Sequence, residues 1–203
     1  MGVLRFRLRD ATASAHRRVE TAMALDDHCR EPESYRQLLA RLWGLYEPLE
    51  AALARIDWQG AAIDFRERAK LGWLEADLMV LGMNAGTIAG LPRAAALPRV
   101  TDRLDAMGML YVMEGASLGG QIISRRLTAD LGVTADQGGR FFSSYGRQVG
   151  PRWRDYLLAL ERFADDQAAS ARIEACALAT FESFLSWFAI GSRPIGIVSG
   201  ARS

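Results

Sequence analysis

The sequence of 203 residues predicts an all-α protein built as a single multi-helix domain. Apolar residues recur every three or four positions in several long segments, which is the period of amphipathic helices. No segment alternates apolar and polar residues over the length of a useful strand, and no internal repeat stands out. The length suits one sizeable core. We therefore expect one helical domain over residues 1–190 and a flexible tail over residues 191–203.

The first half of the chain predicts three helices. Residues 4–23 place Leu, Ala and Val on one face, and residues 32–55 follow the same period, with Pro32 suited to a first helical turn. Pro48 predicts a kink within the second of these helices. Residues 63–81 have the spacing of a third helix.

The second half predicts a long irregular connection over residues 82–98, followed by a helix that Pro98 opens and that Gly132 ends as a C-cap. Residues 137–151 are rich in glycine and predict short turns or a short helix. The helices expected here cover residues 98–131, 153–164 and 172–188.

Composition limits the partners that the chain is expected to have. The formal net charge is only +1, which argues against a nucleic-acid footprint and against a polybasic membrane surface. No segment reaches about 18 uncharged apolar residues, and the first ten residues interleave Arg with Leu and Phe, unlike a signal peptide. We expect a cytoplasmic protein that binds neither nucleic acid nor membrane.

The helix predicted over residues 98–131 contains four glycines: Gly108, Gly115, Gly119 and Gly120. Each interior glycine costs about 0.5–1 kcal/mol relative to alanine, so some interaction must offset them. At roughly 100° per residue, Gly108, Gly115 and Gly119 lie within about 40° of one another and form one bare groove. Such a groove suits either a closely packed helix or a large flat ligand, and spacing alone leaves both open.

Only two histidines are present, His16 and His28. His16 borders the apolar face of the first helix, and Glu20 follows one turn later, where it can accept a ring N–H. A histidine in this position is more often structural than a ligand, but the glycine groove raises the case for ligation. His28 lies in a polar connection and is expected to be exposed. A haem between the two helices fits best, with His16 as axial ligand and the glycines leaving room for a small gas molecule.

Two segments resemble the haem oxygenase family. The run Ala-Thr-Ala-Ser-Ala-His-Arg-Arg-Val-Glu at residues 11–20 resembles its proximal helix, and Gly-Ala-Ser-Leu-Gly-Gly-Gln at residues 115–121 resembles its distal helix. The likeness is greatest to the bacterial enzymes that accompany bacteriophytochromes, where Leu-Tyr-Val-Met-Glu-Gly (residues 110–115) and Phe-Ser-Ser-Tyr-Gly (residues 142–146) also have counterparts.

The resemblance implies a fold in which haem b lies between the proximal helix and a glycine-kinked distal helix. Haem would be both cofactor and substrate, cleaved with molecular oxygen to biliverdin, carbon monoxide and ferrous iron. Electrons would come from an external reductase or ferredoxin, since the chain has no flavin, nicotinamide or iron–sulfur motif. A bacteriophytochrome is a candidate acceptor of the bilin. An acidic redox partner could be attracted by Arg7, Arg9, Arg17 and Arg18, which could equally form an ordinary solvated surface.

The resemblance also implies roles for individual residues. His16 would be the proximal iron ligand and Glu20 its partner, while Gly115, Gly119 and Gly120 would be the catalytic glycines of the distal face. Arg9 and Tyr111 would lie near the propionates. The haem-binding residues implied in this way are Arg9, Thr12, Tyr111, Val112 and Ala116.

One residue departs from part of the family. Some members have an acidic residue directly after the first distal glycine, where it organises water for oxygen activation, and this chain has Ala116. The departure leaves open a non-catalytic haem-binding carrier or sensor of the same fold. A third hypothesis is a related helical fold that acts on another small ligand. It predicts no specific hemin uptake.

Overall fold

A computed structural model describes residues 3–190, and all regular structure in this range is helical, as predicted. Short 3₁₀ turns at Phe65–Glu67, Gly146–Gln148 and Glu161–Phe163 separate some of the α-helices. The α-helices are α1 (Val3–Met23), α2 (Leu25–His28), α3 (Pro32–Ala54), α4 (Leu71–Val80), α5 (Ala85–Ala89), α6 (Arg103–Leu131), α7 (Arg140–Ser143), α8 (Val149–Leu160) and α9 (Gln167–Ile190). The tail predicted over residues 191–203 lies outside the described residues.

The first helix is confirmed in both extent and orientation. Its apolar stripe is buried, including Leu4 at 1% exposure and Leu8 at 0%. The Glu161 carboxylate accepts hydrogen bonds from the backbone N–H groups of Leu4 (3.2 Å) and Arg5 (2.9 Å), which otherwise have no partner at a helix start. Helix α9 packs along both α1 and α6, so the three long helices enclose one face of the core.

The helix predicted over residues 63–81 is wrong in its first half. Only a 3₁₀ turn forms at Phe65–Glu67, and α4 begins at Leu71. The cause is a carboxylate from another helix: Glu50 accepts hydrogen bonds from the backbone N–H groups of Lys70 (2.6 Å) and Leu71 (3.2 Å). These are donors that a helix start leaves free, so Glu50 fixes where α4 begins.

The glycine-bearing helix starts later than predicted. Pro98 lies outside α6, because the side chain of Asp102 caps the helix by accepting from Leu104 N (2.9 Å) and Asp105 N (3.3 Å). The predicted C-cap is confirmed: Gly132 has φ 69°, in the left-handed region that favours glycine. Between these caps, α6 runs unbroken through its four glycines.

The other boundaries differ in smaller ways. Helix α3 covers the predicted segment and continues through Pro48. The connection at residues 82–98 contains the short helix α5, with Asn84 accepting from Thr87 N (2.9 Å). Helix α8 begins before its predicted first residue, and so does α9, where Asp166 accepts from Ala169 N (2.9 Å). Among the described helices, none combines the length and apolarity needed to cross a bilayer.

Candidate functional site

A cavity of about 770 Å³ lies between α1 and α6. Its volume falls within the roughly 300–1,000 Å³ typical of cavities that bind small molecules and cofactors. Aromatic side chains complete its walls, namely Phe141, Phe142, Trp153, Phe181 and Phe184. The structure brings every predicted site residue to this cavity: Arg9, Thr12, His16, Glu20, Tyr111, Val112, Gly115, Ala116, Gly119 and Gly120.

The wall formed by α1 carries an imidazole that is free to bind a ligand. His16 Nδ1 lies 3.5 Å from Glu20 Oε2, and the side chain of His16 is 55% exposed. The ring makes an edge contact with Phe181, with the centroids 5.8 Å apart. With Nδ1 directed to Glu20, Nε2 is the nitrogen left for an iron or another metal.

Thr12 of α1 and Tyr111 of α6 lie side by side where the two long walls meet. The buried Thr12 hydroxyl donates to the Leu8 carbonyl (2.7 Å). Burial raises the pKa of Tyr111, whereas the neighbouring Thr12 side chain and the charge of Arg9 act in the opposite direction. Arg9 is exposed and forms an ion pair with Asp10 at 2.9 Å. This end of the cavity is therefore polar, with the Arg9–Asp10 ion pair at its rim.

The wall formed by α6 is bare at two of its glycines. A Cβ added to Gly119 would meet nothing within 4 Å, and one added to Gly115 would meet only the ring of Trp153, at 3.8 Å. Gly120 differs, because a Cβ there would lie 2.9 Å from the carbonyl oxygen of Phe142. Gly120 thus lets α6 approach α7, while Gly115 and Gly119 keep space in the cavity.

Of the three glycines on the predicted groove, two line the cavity, and Gly108 is a packing glycine, which is one of the two explanations that spacing left open. Gly108 does not line the cavity; its Cα packs against α9, where an added Cβ would lie 2.8 Å from Cys176 Cβ and 2.9 Å from Ala177 N. The two explanations left open by spacing therefore both apply, each to a different part of α6.

The second histidine is also placed differently from the prediction. His28 is half-buried rather than exposed, and its Nδ1 lies 2.9 Å from Ser34 Oγ and 3.1 Å from the Ser34 carbonyl. Burial lowers the pKa of His28. His28 does not line the cavity, so His16 is the histidine that can act there.

Sequence reasoning missed a buried charge cluster beside the cavity. Lys70 Nζ donates to Glu114 Oε1 (2.5 Å) and to the Arg68 carbonyl (3.2 Å), and Arg68 Nη1 donates to Glu114 Oε2 (2.5 Å). Tyr145 donates its hydroxyl proton to Glu114 Oε1 (2.9 Å). Burial lowers the pKa of Lys70, while the Glu114 carboxylate acts to raise it. Of this cluster, only Lys70 lines the cavity.

Sequence signals for this cluster are weak, because its members come from distant segments. One signal is compositional: Lys70 is the single lysine among 25 basic residues. Tyr46, which the helical period marks only as a core residue, also lines the cavity. It is 1% exposed, and burial raises its pKa.

Comparisons with known proteins agree with one another. The family model described as "Heme oxygenase" matches residues 3–190. A heme oxygenase of Xanthomonas campestris pv. campestris is 31% identical over 168 residues, covering 81% of this chain and 94% of that protein. The NO- and CO-bound heme oxygenase structures from Neisseria meningitidis superpose with TM-score 0.78 at 19% identity, covering 98% of this chain and 94% of theirs. The heme oxygenase of Leptospira interrogans gives TM-score 0.74 at 20% identity, covering 94% of this chain and 100% of its own.

Proposed function

Because the chain belongs to the haem oxygenase family and is a haem-degrading oxidoreductase, we propose that haem b binds in the cavity between α1 and α6. One observation carries this proposal: an imidazole on one wall, His16, faces a wall that Gly119 leaves without a side chain. A flat macrocycle needs an axial donor on one side and free space on the other.

The residues present fit such a ligand in other respects. The cavity volume of about 770 Å³ and its aromatic walls suit a large apolar ring. The polar end, where Thr12 and Tyr111 meet near Arg9, suits the carboxylates of the propionates. Val112 and Ala116 line the α6 wall beside Gly115 and are proposed to contact the ring.

On the α1 wall, we assign His16 Nε2 as the iron ligand. Glu20 would accept the Nδ1 proton, fixing the tautomer and the ring orientation, as a carboxylate commonly does for a metal-bound histidine. The edge contact with Phe181 restricts the same ring from the α9 side. These two contacts orient the ligand nitrogen before the haem enters.

On the α6 wall, Gly115 and Gly119 would leave space next to the iron and let backbone approach a small ligand there. Gly120 would act by keeping α6 against Phe142 rather than by contact with the reacting atoms. When bound, haem supplies the oxygen chemistry and is itself cleaved, giving biliverdin, carbon monoxide and ferrous iron. The protein's part is to orient haem, exclude bulky side chains from one face and donate hydrogen bonds.

The proposal includes partners. An external reductase or ferredoxin would supply electrons, the reaction would take place in the cytoplasm, and a bacteriophytochrome would accept the bilin. The arginines considered for redox docking are largely paired within the chain: Arg7 with Glu174 (2.6 Å) and Arg18 with Glu182 (2.8 Å). Arg17, exposed at the cavity, offers the clearest contact for an acidic partner.

Incubation of the hemin complex with ascorbate or a reduced ferredoxin system tests the proposed function. We expect the Soret band to fall as a bilin spectrum appears, with biliverdin identified by chromatography. A stable haem complex under the same conditions would indicate the non-catalytic carrier. A chain that takes up no hemin would favour a different small ligand.

A further inference from the structure

The single lysine of this chain lies in an unusual place. Arginine supplies the other 24 of the 25 basic residues, and Lys70 is only 2% exposed. The other ionised residues at the cavity, Arg9, Arg17, Glu20 and Asp27, are exposed. Lys70 is therefore the one buried charge that lines the cavity within the described residues.

The contacts of Lys70 leave part of its bonding capacity unused. An ammonium group has three N–H donors. Two are used by Glu114 Oε1 (2.5 Å) and the Arg68 carbonyl (3.2 Å). The Tyr145 ring centroid lies 5.1 Å from Nζ, and among residues 3–190 no oxygen or nitrogen acceptor takes the third N–H. Taking an ammonium out of water carries a large desolvation cost, and an apolar side chain of similar size would avoid that cost.

Hydrogen bonding within the cluster does not by itself account for this lysine. Arg68 already matches the charge of Glu114 through its own contact at 2.5 Å. Glu50 also lies nearby, but its carboxylate accepts from the backbone N–H groups of Lys70 and Leu71, which any residue at position 70 other than proline can donate. Both carboxylates could therefore keep these hydrogen bonds without an ammonium, and the charge of Lys70 additionally offsets that of the buried Glu50.

A second polar group lies at the same buried end of the cavity. Tyr46 is 1% exposed, and its hydroxyl makes no hydrogen bond to any other described residue. Charges of Glu50 and Glu114 add to the effect of burial in raising its pKa, so its hydroxyl lies near the cluster. The Lys70 ammonium and the Tyr46 hydroxyl thus each keep an unused hydrogen-bond donor at an apolar end of the cavity. Buried polar groups of this kind are usually satisfied by water or by a polar atom of a ligand.

On this basis we propose that Lys70 is the charged hydrogen-bond donor to the face of the haem that is turned toward α6. Its Nζ would stabilise negative charge that develops there, which is the role that Ala116 cannot fill. Glu114 and the Arg68 carbonyl position the ammonium. The inference rests on the proposed function, since it requires haem in the cavity.

A pair of matched variants separates this role from a structural one. Lys70→Met removes the ammonium while keeping a long side chain, and Arg68→Met removes an equally buried charge from the same carboxylate but from outside the cavity. The ferrous haem complex with carbon monoxide gives the readout, because the C–O stretching frequency responds to nearby positive charge. Lys70→Arg keeps the charge as a third variant.

We expect Lys70→Met to raise the C–O frequency and to lower haem turnover by about 10²-fold, the usual effect of losing one donor to developing charge. Arg68→Met should leave the frequency unchanged, and Lys70→Arg should restore it in part. Equal shifts in the two methionine variants, or no shift in either, would overturn the proposal.

A measurement on the native chain covers the case in which these variants do not fold. Lysine labelled with ¹³C at Cε gives one NMR signal, because Lys70 is the only lysine. We expect paramagnetic ferric haem to displace or broaden this signal relative to bound zinc protoporphyrin. Identical signals in the two complexes would overturn the role of Lys70, whereas a chain that binds neither porphyrin would contradict the proposed function itself.

Discussion

Gly108 and Gly119 lie within about 20° of each other on the helical wheel of α6, yet their surroundings are opposite. A Cβ on Gly108 would collide with the backbone of α9, at 2.9 Å from Ala177 N, whereas one on Gly119 would meet nothing within 4 Å. The same residue type on one face therefore serves two purposes. The first glycine allows two helices to approach closely, and the second leaves space for a ligand.

This difference arises from what lies next to each glycine of α6. Helix α9 lies against Gly108, and the cavity opens beside Gly115 and Gly119. Substitution of Gly108 should therefore act on folding, and substitution of Gly119 on ligand uptake.

The largest expected effect is from Gly119→Phe. A ring at this position should fill the cavity and abolish hemin uptake, while the fold persists because the site is open. Hemin titration followed at the Soret band, with far-UV circular dichroism, measures both properties. Ala129→Phe is the control, since it places the same ring at an exposed position of α6 outside the cavity. Normal uptake by Gly119→Phe would show that this glycine does not face the ligand.

Gly108→Ala should act on stability instead. The added methyl group collides with Cys176 and the α9 backbone, and overpacking of this kind costs about 1–3 kcal/mol. Chemical denaturation with and without hemin measures the loss, and the folded fraction should bind hemin as the native chain does. Unchanged unfolding free energy would mean that the approach of α6 to α9 does not depend on this glycine.

The smallest effect, and one of opposite sign, is expected from Gly119→Ala. Removing an interior glycine from a helix should stabilise the apoprotein by about 0.5–1 kcal/mol, because the added methyl group meets no neighbour. Denaturation of the apoprotein measures this gain. A lower free energy of unfolding for Gly119→Ala would contradict the open space that the structure shows at this position.

Local signals predicted much of the fold. The periodic apolar stripe fixed α1, and Gly132 marked the end of α6 as a C-cap. The start of α4 was not predictable in this way, because the cap at Leu71 comes from Glu50, twenty-one residues earlier in the chain. Pro98 predicted too early a start for α6. The helix begins after Asp102 instead, because the Asp102 side chain caps it by accepting two backbone hydrogen bonds.

The site residues divide in the same way, into those that local spacing predicts and those whose contacts join distant segments. His16 and Glu20 are one helical turn apart, and Gly115 and Gly119 are as well, so spacing and family resemblance could identify them. The pairing of Lys70 with Glu114 has no such spacing, since it forms only when α6 packs against the segment before α4. Nor could periodicity distinguish Gly108 from Gly119, because their difference depends on α9.

Hemin titration of His16→Ala beside His28→Ala tests whether His16 binds the haem iron, since these are the only two histidines of the chain. We expect His16→Ala to lose the native Soret spectrum and the vibration of the iron–histidine bond, with added imidazole restoring both. His28→Ala, whose ring is held by Ser34 outside the cavity, should keep the native spectrum. A native spectrum in His16→Ala would show that His16 is not the iron ligand.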